Sequence, residues 1–377
     1  MTDTASNSRS RRLRVVRTVQ ETPDAASVVF AVPDAERDRF TYRPGQFLTL
    51  RIPSERTGSV ARCYSLASSP DHDPEHELTV TVKRTADGYG SNWLCDNADA
   101  GLELEVLPPS GAFTPKDLDA DFLLFAGGSG ITPILSIIKS ALARGSGRIL
   151  LVYANRSAEA VIFREQLNAL SGRYPDRLTV VHWLESVQGL PTRAQLRALA
   201  APFADRDCFL CGPQPFMTAA TGALQDAGVP TSRIRTEAYK SLSGNPFDFP
   251  ATVPGPAVRP AAPAAPAGPD PAGTPALAGA PAPAGVPLEV KIGRTARTLT
   301  WPPGSPMIDV LLAEGVDVPY SCRDGECGSC QATLLTGKVA MLRNEVLGED
   351  DVAEGYILAC QAVPHDEHDG GPIAVEF

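Results

Sequence analysis

Three cysteines, Cys322, Cys327 and Cys330, stand in a Cys-x4-Cys-x2-Cys run, with Cys360 thirty residues beyond the last of them. That spacing is one with which four thiolates hold a [2Fe-2S] cluster, and Gly325 and Gly328 would let the intervening loop fold tightly and aim backbone N–H groups at the sulfurs. Disulfides explain the set poorly, since the chain opens with no export signal. Zinc is the remaining alternative, but it favours two short Cys-x2-4-Cys pairs, and here Cys360 has no near partner to make the second. Cys208 and Cys211 also form a Cys-x2-Cys, yet on a strand residues three apart face opposite ways. Cys63 and Cys95 read as small buried hydrophobes. The five histidines, His72, His76, His182, His365 and His368, are scattered and read as surface or loop residues.

Three further motifs carry chemistry. Arg62-Cys63-Tyr64-Ser65 offers a cation for a pyrophosphate, an aromatic face for an isoalloxazine and a hydroxyl near its reacting edge. Tyr64 alone would serve equally as a packed strand aromatic. Gly88-Tyr89-Gly90-Ser91-Asn92-Trp93-Leu94 puts small residues at a helical start, where N–H groups point at phosphate. Gly127-Gly128-Ser129-Gly130-Ile131-Thr132-Pro133 follows a buried-type strand and opens a helix with Pro133 in its first turn, again presenting bare backbone to a pyrophosphate. It lacks the Gly-x-Gly-x-x-Gly pattern, and packing alone is the competing explanation.

The elements that must position these groups fall into blocks. From Leu13 to Phe113, short alternating runs such as Ser27–Val32, Phe47–Ile52, Leu78–Val82 and Leu102–Val106 lie between Pro, Gly and Asp turns, which predicts an antiparallel β-barrel. Beyond it, apolar strands at Phe122–Phe125, Ile149–Tyr153, Leu178–Val181 and Cys208–Cys211 alternate with helices at Thr132–Ala143, Val161–Leu170, Arg193–Leu199 and Pro215–Ala227. That alternation predicts a parallel sheet covered on both faces. Between Pro250 and Pro287 the chain is almost all Pro, Ala and Gly and is expected to be a tether, with a reach on the order of 100 Å if extended. The expected organisation is a disordered basic tail over 1–12, a flavin barrel over 13–115, a nucleotide-binding α/β domain over 116–249, a linker over 250–286 and a cluster domain over 287–377.

The net charge of -10 is unevenly spread. The segment Pro287–Phe377 holds 6 Lys and Arg against 15 Asp and Glu, a net of -9, which leaves -1 for the other 286 residues. Such a domain repels nucleic acid and favours a basic docking face on a protein partner, the alternative being that the charge only keeps it soluble. No run reaches the roughly 18 to 20 apolar residues of a membrane span, because Phe122–Ile138 is broken by Gly127, Gly128, Gly130 and Pro133. A cytoplasmic location without nucleic-acid or membrane partners is expected.

The segment Tyr320–Cys330, with Leu358-Ala359-Cys360-Gln361, resembles the cluster loop and fourth-ligand segment of plant-type ferredoxins, which implies a β-grasp fold and ligation by Cys322, Cys327, Cys330 and Cys360. The Arg62–Ser65 and Gly88–Leu94 motifs resemble the flavin signature of the ferredoxin-NADP reductase superfamily. The resemblance implies that Arg62, Tyr64, Ser65, Gly90 and Ser91 hold FAD, and that Gly127, Gly128, Gly130, Thr132, Arg156, Gly212 and Pro213 hold the nicotinamide dinucleotide. The superfamily's Cys-Gly-Pro turn is found at Cys211-Gly212-Pro213, followed by Met217 and Glu237, which by that resemblance puts Ser65, Cys211 and Glu237 around the nicotinamide as the catalytic group. Tyr153–Ser157, Val161–Phe163, His182–Glu185 and Glu354–Leu358 resemble the flavin–ferredoxin oxygenase reductases, a family that includes the reductase components of 3-ketosteroid 9α-hydroxylases and of phenylacetyl-CoA epoxidases.

Membership of that family implies electron transfer from NADH or NADPH to FAD, then to the [2Fe-2S] cluster, then to a partner oxygenase. Hydride carries two electrons and the cluster takes one at a time, so the flavin must divide the pair. A tether would make the second step effectively intramolecular while leaving the cluster domain free to meet its acceptor. NADH is favoured by the steroid-type resemblance, while Arg156 could pair a 2'-phosphate. The acceptor stays open between a Rieske-type 3-ketosteroid 9α-hydroxylase and another oxygenase such as a phenylacetyl-CoA epoxidase, because surface complementarity selects it. A non-catalytic iron-sulfur sensor that keeps the fold is the reading from a different class.

Overall fold

The computed structural model describes residues 9–247 and 285–377 apart from Lys240, Ser243 and Arg294. They form two compact units whose main sequence boundary lies between Asp248 and Phe249. Most of the expected tether, and residues 1–8 of the expected basic tail, lie outside the described residues.

In the first unit, strands β1 (Arg11–Thr22), β2 (Ala25–Ala31), β3 (Phe47–Ser54), β4 (Gly58–Ser65), β5 (Glu77–Lys83) and β6 (Glu103–Ser110) form one antiparallel sheet in the order β4-β3-β6-β1-β2-β5. A bridge between Leu66 and Val80 brings the two outer strands together, so the sheet closes on itself as expected. Alternation drives the closure: Leu48, Leu50 and Ile52, then Leu78, Val80 and Val82, then Leu104 and Val106 all point into one core. Helix α1 (Tyr89–Asn97) adds Leu94 to it. Strand β1 begins at Arg11, two residues inside the segment expected to be a loose tail. Arg11 pairs in register with Val106 and its guanidinium meets Glu36 at 2.7 Å, which ties the chain down that early.

The same unit continues as a parallel sheet of β7 (Phe122–Gly127), β8 (Ile149–Asn155), β9 (Leu178–Leu184), β10 (Asp207–Cys211) and β11 (Ile234–Glu237), ordered β11-β10-β7-β8-β9. Both faces are buried. Phe122, Leu124 and Ala126 pack with helices α2 (Ile131–Arg144) and α3 (Arg164–Arg173), while Leu123 and Phe125 pack with α5 (Arg193–Ala200) and α6 (Gln214–Asp226); the short α4 (Glu185–Gln188) follows β9. Cys211 belongs to the first face and Cys208 to the second, so the Cys-x2-Cys pair is divided by the sheet as strand geometry requires. Helix α3 starts three residues later than the sequence suggests. Val161, Ile162 and Phe163 are all buried and cannot share one helical stripe, so the backbone turns through Phe163 at φ 60°. Strand β11 has no sequence signal of its own, since Ile234-Arg235-Thr236-Glu237 carries a single apolar residue.

The second unit is a mixed sheet of β12 (Val286–Ile292), β13 (Thr295–Trp301), β14 (Gln331–Thr336), β16 (Tyr356–Leu358) and β18 (Ile373–Glu376) in the order β13-β12-β18-β14-β16. The pair β15 (Val339–Met341) and β17 (Ala362–Pro364) lies outside it. Strands β12 and β18 run parallel and the other pairings are antiparallel, which is the expected β-grasp arrangement. Helix α7 (Met307–Ala313) buries Met307, Ile308 and Leu311 against Trp301, Leu288 and Val375; α8 (Glu349–Ala353) is short and acidic. Val286 already belongs to β12, one residue before the expected domain start. Two expectations about single residues differ. Cys63 and Cys95 are only half-buried, and His182 lies on β9 rather than in a loop. Among the described residues no helix is long and apolar enough to cross a membrane.

Candidate functional site

Strand β4 delivers Arg62, Tyr64 and Ser65 along one edge of the barrel, and α1 delivers Gly90 and Ser91 to the same place. A Cβ on Gly90 would lie 2.9 Å from the Arg62 side chain, 3.0 Å from Ile52 and 3.6 Å from the Tyr64 hydroxyl, so the two flavin motifs meet and only glycine fits between them. Burial pushes the Tyr64 phenol well above its ordinary value, keeping it neutral. The Arg62 guanidinium donates to the Ala61 carbonyl at 2.7 Å; Ser91 Oγ shares a 2.8 Å hydrogen bond with Thr85 and donates to the Gly88 carbonyl. A cation, a half-buried aromatic and a glycine-cleared cradle fit an FAD.

The dinucleotide loop and the Cys-Gly-Pro turn also come together. Cys211 pairs in register with Glu237 on β11, and with Ala126 at the end of β7. A Cβ on Gly130 would meet the Cys211 carbonyl at 2.1 Å, one on Gly127 would meet Pro213 at 2.9 Å, and one on Gly212 would meet Gly127 Cα at 3.0 Å. Gly128 takes φ 52°, turning the backbone where strand gives way to helix. This closely apposed glycine backbone at the N-terminus of the 14-residue helix α2 fits a pyrophosphate. Thr132 works from inside the loop: it is 1% exposed and its hydroxyl donates to the Ser129 carbonyl at 2.9 Å.

The catalytic trio predicted from resemblance converges. Ser65 Oγ donates to Glu237 Oε2 at 3.0 Å, across 172 residues of sequence. Burial raises the half-buried Glu237 carboxyl to about 7, against a downward pull from the Ser65 hydroxyl. Cys211 is fully buried, and burial followed by the nearby Glu237 charge holds its thiol far up, so it stays protonated. Sequence reading missed Tyr239. Its hydroxyl is 3.5 Å from Ser65 Oγ and donates to the Ser129 carbonyl at 3.2 Å, which links the flavin strand to the dinucleotide loop. Its position two residues after Glu237 was the available signal.

Arg156 stands apart from that trio. It meets Asp24 Oδ2 at 3.1 Å, and Lys83 Nζ approaches the same oxygen at 3.5 Å. Lys83, also missed, lies 4.0 Å from where a Gly128 Cβ would be, so a cation borders the phosphate loop. Asp24 stays ionised: hydrogen bonding from Thr22 and the two cations outweigh its partial burial and lower its carboxyl.

Towards the C-terminal end of the chain, Cys322, Cys330 and Cys360 are 4%, 2% and 2% exposed and Cys327 is half-buried. Gly325 and Gly328 take φ 72° and 69°, and Arg323 takes 62°, which winds the loop around the thiols. Backbone N–H groups point at sulfur as expected: Asp324 to Cys322 at 3.4 Å, Ser329 to Cys327 at 3.5 Å and Cys360 to Cys330 at 3.4 Å. Hydrogen bonding with the Cys322 and Cys330 thiols, then burial, drives the Cys360 thiol upward. Gln361 straps the loop, donating to the Arg323 carbonyl at 2.8 Å and to Cys360 Sγ at 3.8 Å. Among the described residues no group of His, Cys, Asp or Glu is set to hold a single metal ion. A [2Fe-2S] cluster divides its four thiolates between two irons, and the neighbouring Cys322, Cys330 and Cys360 thiols with N–H donors around them suit it.

Three family models match in chain order: an oxidoreductase FAD-binding domain over residues 12–114, an oxidoreductase NAD-binding domain over 124–222 and a 2Fe-2S iron-sulfur cluster binding domain over 290–365. The ferredoxin reductase component of 3-ketosteroid-9-alpha-monooxygenase from Rhodococcus rhodochrous is 55% identical over 370 residues, 98% of this chain and 97% of that one. A component of the 1,2-phenylacetyl-CoA epoxidase from Escherichia coli strain K12 is 30% identical, over 93% of this chain and 94% of that one. Among solved structures, phthalate dioxygenase reductase shares the fold from end to end, with a TM-score of 0.50 at 22% identity over 98% of both chains. Likeness at that level over nearly the full length places the chain in the family of oxygenase reductases that carry an FAD domain, an NAD domain and a [2Fe-2S] ferredoxin domain, to which the 3-ketosteroid-9-alpha-monooxygenase reductase components belong.

Proposed function

We propose that this reductase takes hydride from NADH at Ser65, Cys211 and Glu237 and supplies electrons to a Rieske-type 3-ketosteroid 9α-hydroxylase. The observation that carries the reading is the 3.0 Å hydrogen bond from Ser65 to Glu237, which joins the flavin edge to the C-terminal end of the nucleotide-binding sheet. FAD, when bound, would supply a centre able to take a hydride's two electrons and give them up one at a time. Arg62 would hold its pyrophosphate, Tyr64 its ring, and Gly90 and Ser91 its phosphates. Gly127, Gly128, Gly130, Gly212 and Pro213 form the bed for the dinucleotide, with Thr132 bracing the loop and Arg156 beside it. Cys211, held neutral by burial, gives the nicotinamide a dry wall, and Glu237 can hold or release a proton near neutral pH.

The steroid acceptor is favoured by 55% identity to the Rhodococcus protein against 30% to the epoxidase component. NADH rests on the same relation, and a cytoplasmic setting on the thiol-ligated cluster. The sensor reading leaves the Ser65–Glu237 junction without a purpose.

The test is made on the isolated holoprotein, by iron and acid-labile sulfide analysis, a visible spectrum and two acceptors. Cys327→Ser is expected to keep NADH-dependent ferricyanide reduction within about twofold and to lose electron delivery to the hydroxylase. Absence of a yellow chromophore, or full delivery by the variant, would overturn the reading.

A further inference from the structure

Helix α2 is apolar on most of its surface, burying Ile131, Ile134, Leu135, Ile137, Ile138 and Leu142, yet it also buries a lysine. Lys139 is 7% exposed, and Ser136 and Ser140 beside it are 0% exposed. These three residues and Arg144 fall at three- and four-residue intervals and so form one polar stripe. Every member grips the segment that leaves the flavin strand β4. Ser136 Oγ donates to the Ser68 carbonyl at 2.6 Å, and Lys139 Nζ donates to the Ala67 carbonyl at 3.2 Å and to Asp73 Oδ2 at 2.9 Å. The Ser140 and Ser69 hydroxyls are 2.7 Å apart, and Arg144 reaches Asp71 at 3.0 Å.

The segment is braced in turn. Asp73 Oδ2 accepts from the Ser69 amide at 2.8 Å, and Ser68 Oγ accepts from the Thr79 amide on β5 at 3.0 Å. The Lys139 ammonium and hydrogen bonds from His72 and the Ser69 amide offset burial and lower the Asp73 carboxyl.

A buried ion pair is a poor source of stability, since well-packed apolar side chains of the same volume often serve as well or better. What hydrogen bonds and charges add is direction: they fix one relative placement where apolar packing tolerates several. Ala67 is two residues beyond Ser65, and α2 begins at Ile131, directly after the Gly127–Gly130 loop. The stripe therefore clamps together the two chain segments that carry the flavin-side hydroxyl and the dinucleotide bed.

We infer that Lys139 is a positioning residue for hydride transfer: through Ala67 and Asp73 it sets the register between the strand end bearing Ser65 and the helix that opens with the Gly127–Gly130 loop. The inference rests on the reading that these two features flank the hydride path. A misplacement of about 1 Å costs hydride transfer on the order of a hundredfold, while binding, spread over the whole dinucleotide, changes little.

The experiment compares wild type, Lys139→Met, Lys139→Arg and the double variant Lys139→Met with Asp73→Asn, each loaded with FAD. The double variant removes the unpaired carboxylate that could unfold the single one. Rapid-mixing flavin reduction by NADH, NAD+ affinity by calorimetry, melting temperature and amide exchange over residues 66–74 are read together. The limiting rate in the double variant is expected to fall at least tenfold with NAD+ affinity within about threefold, amide exchange at Ser69 to rise, and Lys139→Arg to recover the rate to within about threefold. A double variant with an unchanged limiting rate, or one whose NAD+ affinity falls as far as its rate, would overturn the inference. Failure of NADH to reduce the wild-type flavin would instead strike the underlying reading of the hydride path.

Discussion

Glu237 shows how one residue's environment makes chemistry available. A carboxyl on a short edge strand would ordinarily be ionised, but burial carries this one from 4.5 to about 7. In the folded chain it therefore binds its proton more tightly than in the unfolded chain. The sign follows: its contribution to stability is complete below about pH 4.5 and is lost as pH rises through about 7, at most about 3 kcal/mol for a shift of this size. Glu237→Gln carries no such proton. In thermal melts of flavin-free protein, wild type is expected to lose stability relative to Glu237→Gln between pH 5 and pH 8. Parallel curves would show that Glu237 is ionised throughout. Ser65, Cys211 and Tyr239 share this environment, and each is held by a partner distant in sequence.

At the scale of elements, the site is a set of close backbone approaches. The Gly127–Gly130 loop and the Cys211–Pro213 turn touch without side chains between them. Gly130 has an ordinary helical φ, so its requirement is one of space alone. Gly130→Ala must open the contact with the Cys211 carbonyl, now 2.1 Å from the added methyl. Overpacking of this kind costs about 1–3 kcal/mol, and here the same movement displaces the bed of the dinucleotide. The variant is expected to melt lower and to bind NAD+ at least tenfold more weakly by calorimetry, with FAD content unchanged. Equal NAD+ affinity would separate this contact from the nucleotide site. The polar stripe on α2 belongs to the same scale, since it orients one element against another more than it deepens a core.

On the scale of the molecule, the two units hold separate cores. Every buried apolar residue packed with Trp301 comes from the stretch Leu288–Val375, while the first unit builds its own clusters around Phe30 and Phe125. Charge divides in the same way, with -9 of the -10 in residues 287–377. Exposed acidic side chains such as Glu349, Asp350 and Glu354 belong to this excess. An acidic carrier meeting a basic acceptor is steered at long range, and salt screens the attraction over about 8–10 Å at 0.1–0.15 M. The second-order rate of hydroxylase reduction is expected to fall at least fivefold between 20 and 300 mM salt, on the order seen for steered association. Ferricyanide reduction should not fall, because a small anion gains from screening. A flat salt profile with the hydroxylase would remove charge from the docking step.

The cysteine spacing, the glycine-rich loops and the alternating runs, with the family resemblance they carry, indicated from the sequence which cofactors the chain is built for and the order of its elements. These signals are local: four ligands for one loop, a strand followed at once by a helix, a period of two against a period of 3.6. Only the tertiary structure decided that Ser65 meets Glu237, that Tyr239 joins them, that Cys211 lies opposite Glu237 in register, and that Lys139 is buried against Asp73. Such contacts depend on strand order and on packing between segments tens to hundreds of residues apart, and no short window of sequence holds that information. The same reason hid β11 and the turn at Phe163. One owes its pairing to a neighbouring strand, and the other bends because three successive side chains each need a place in the core.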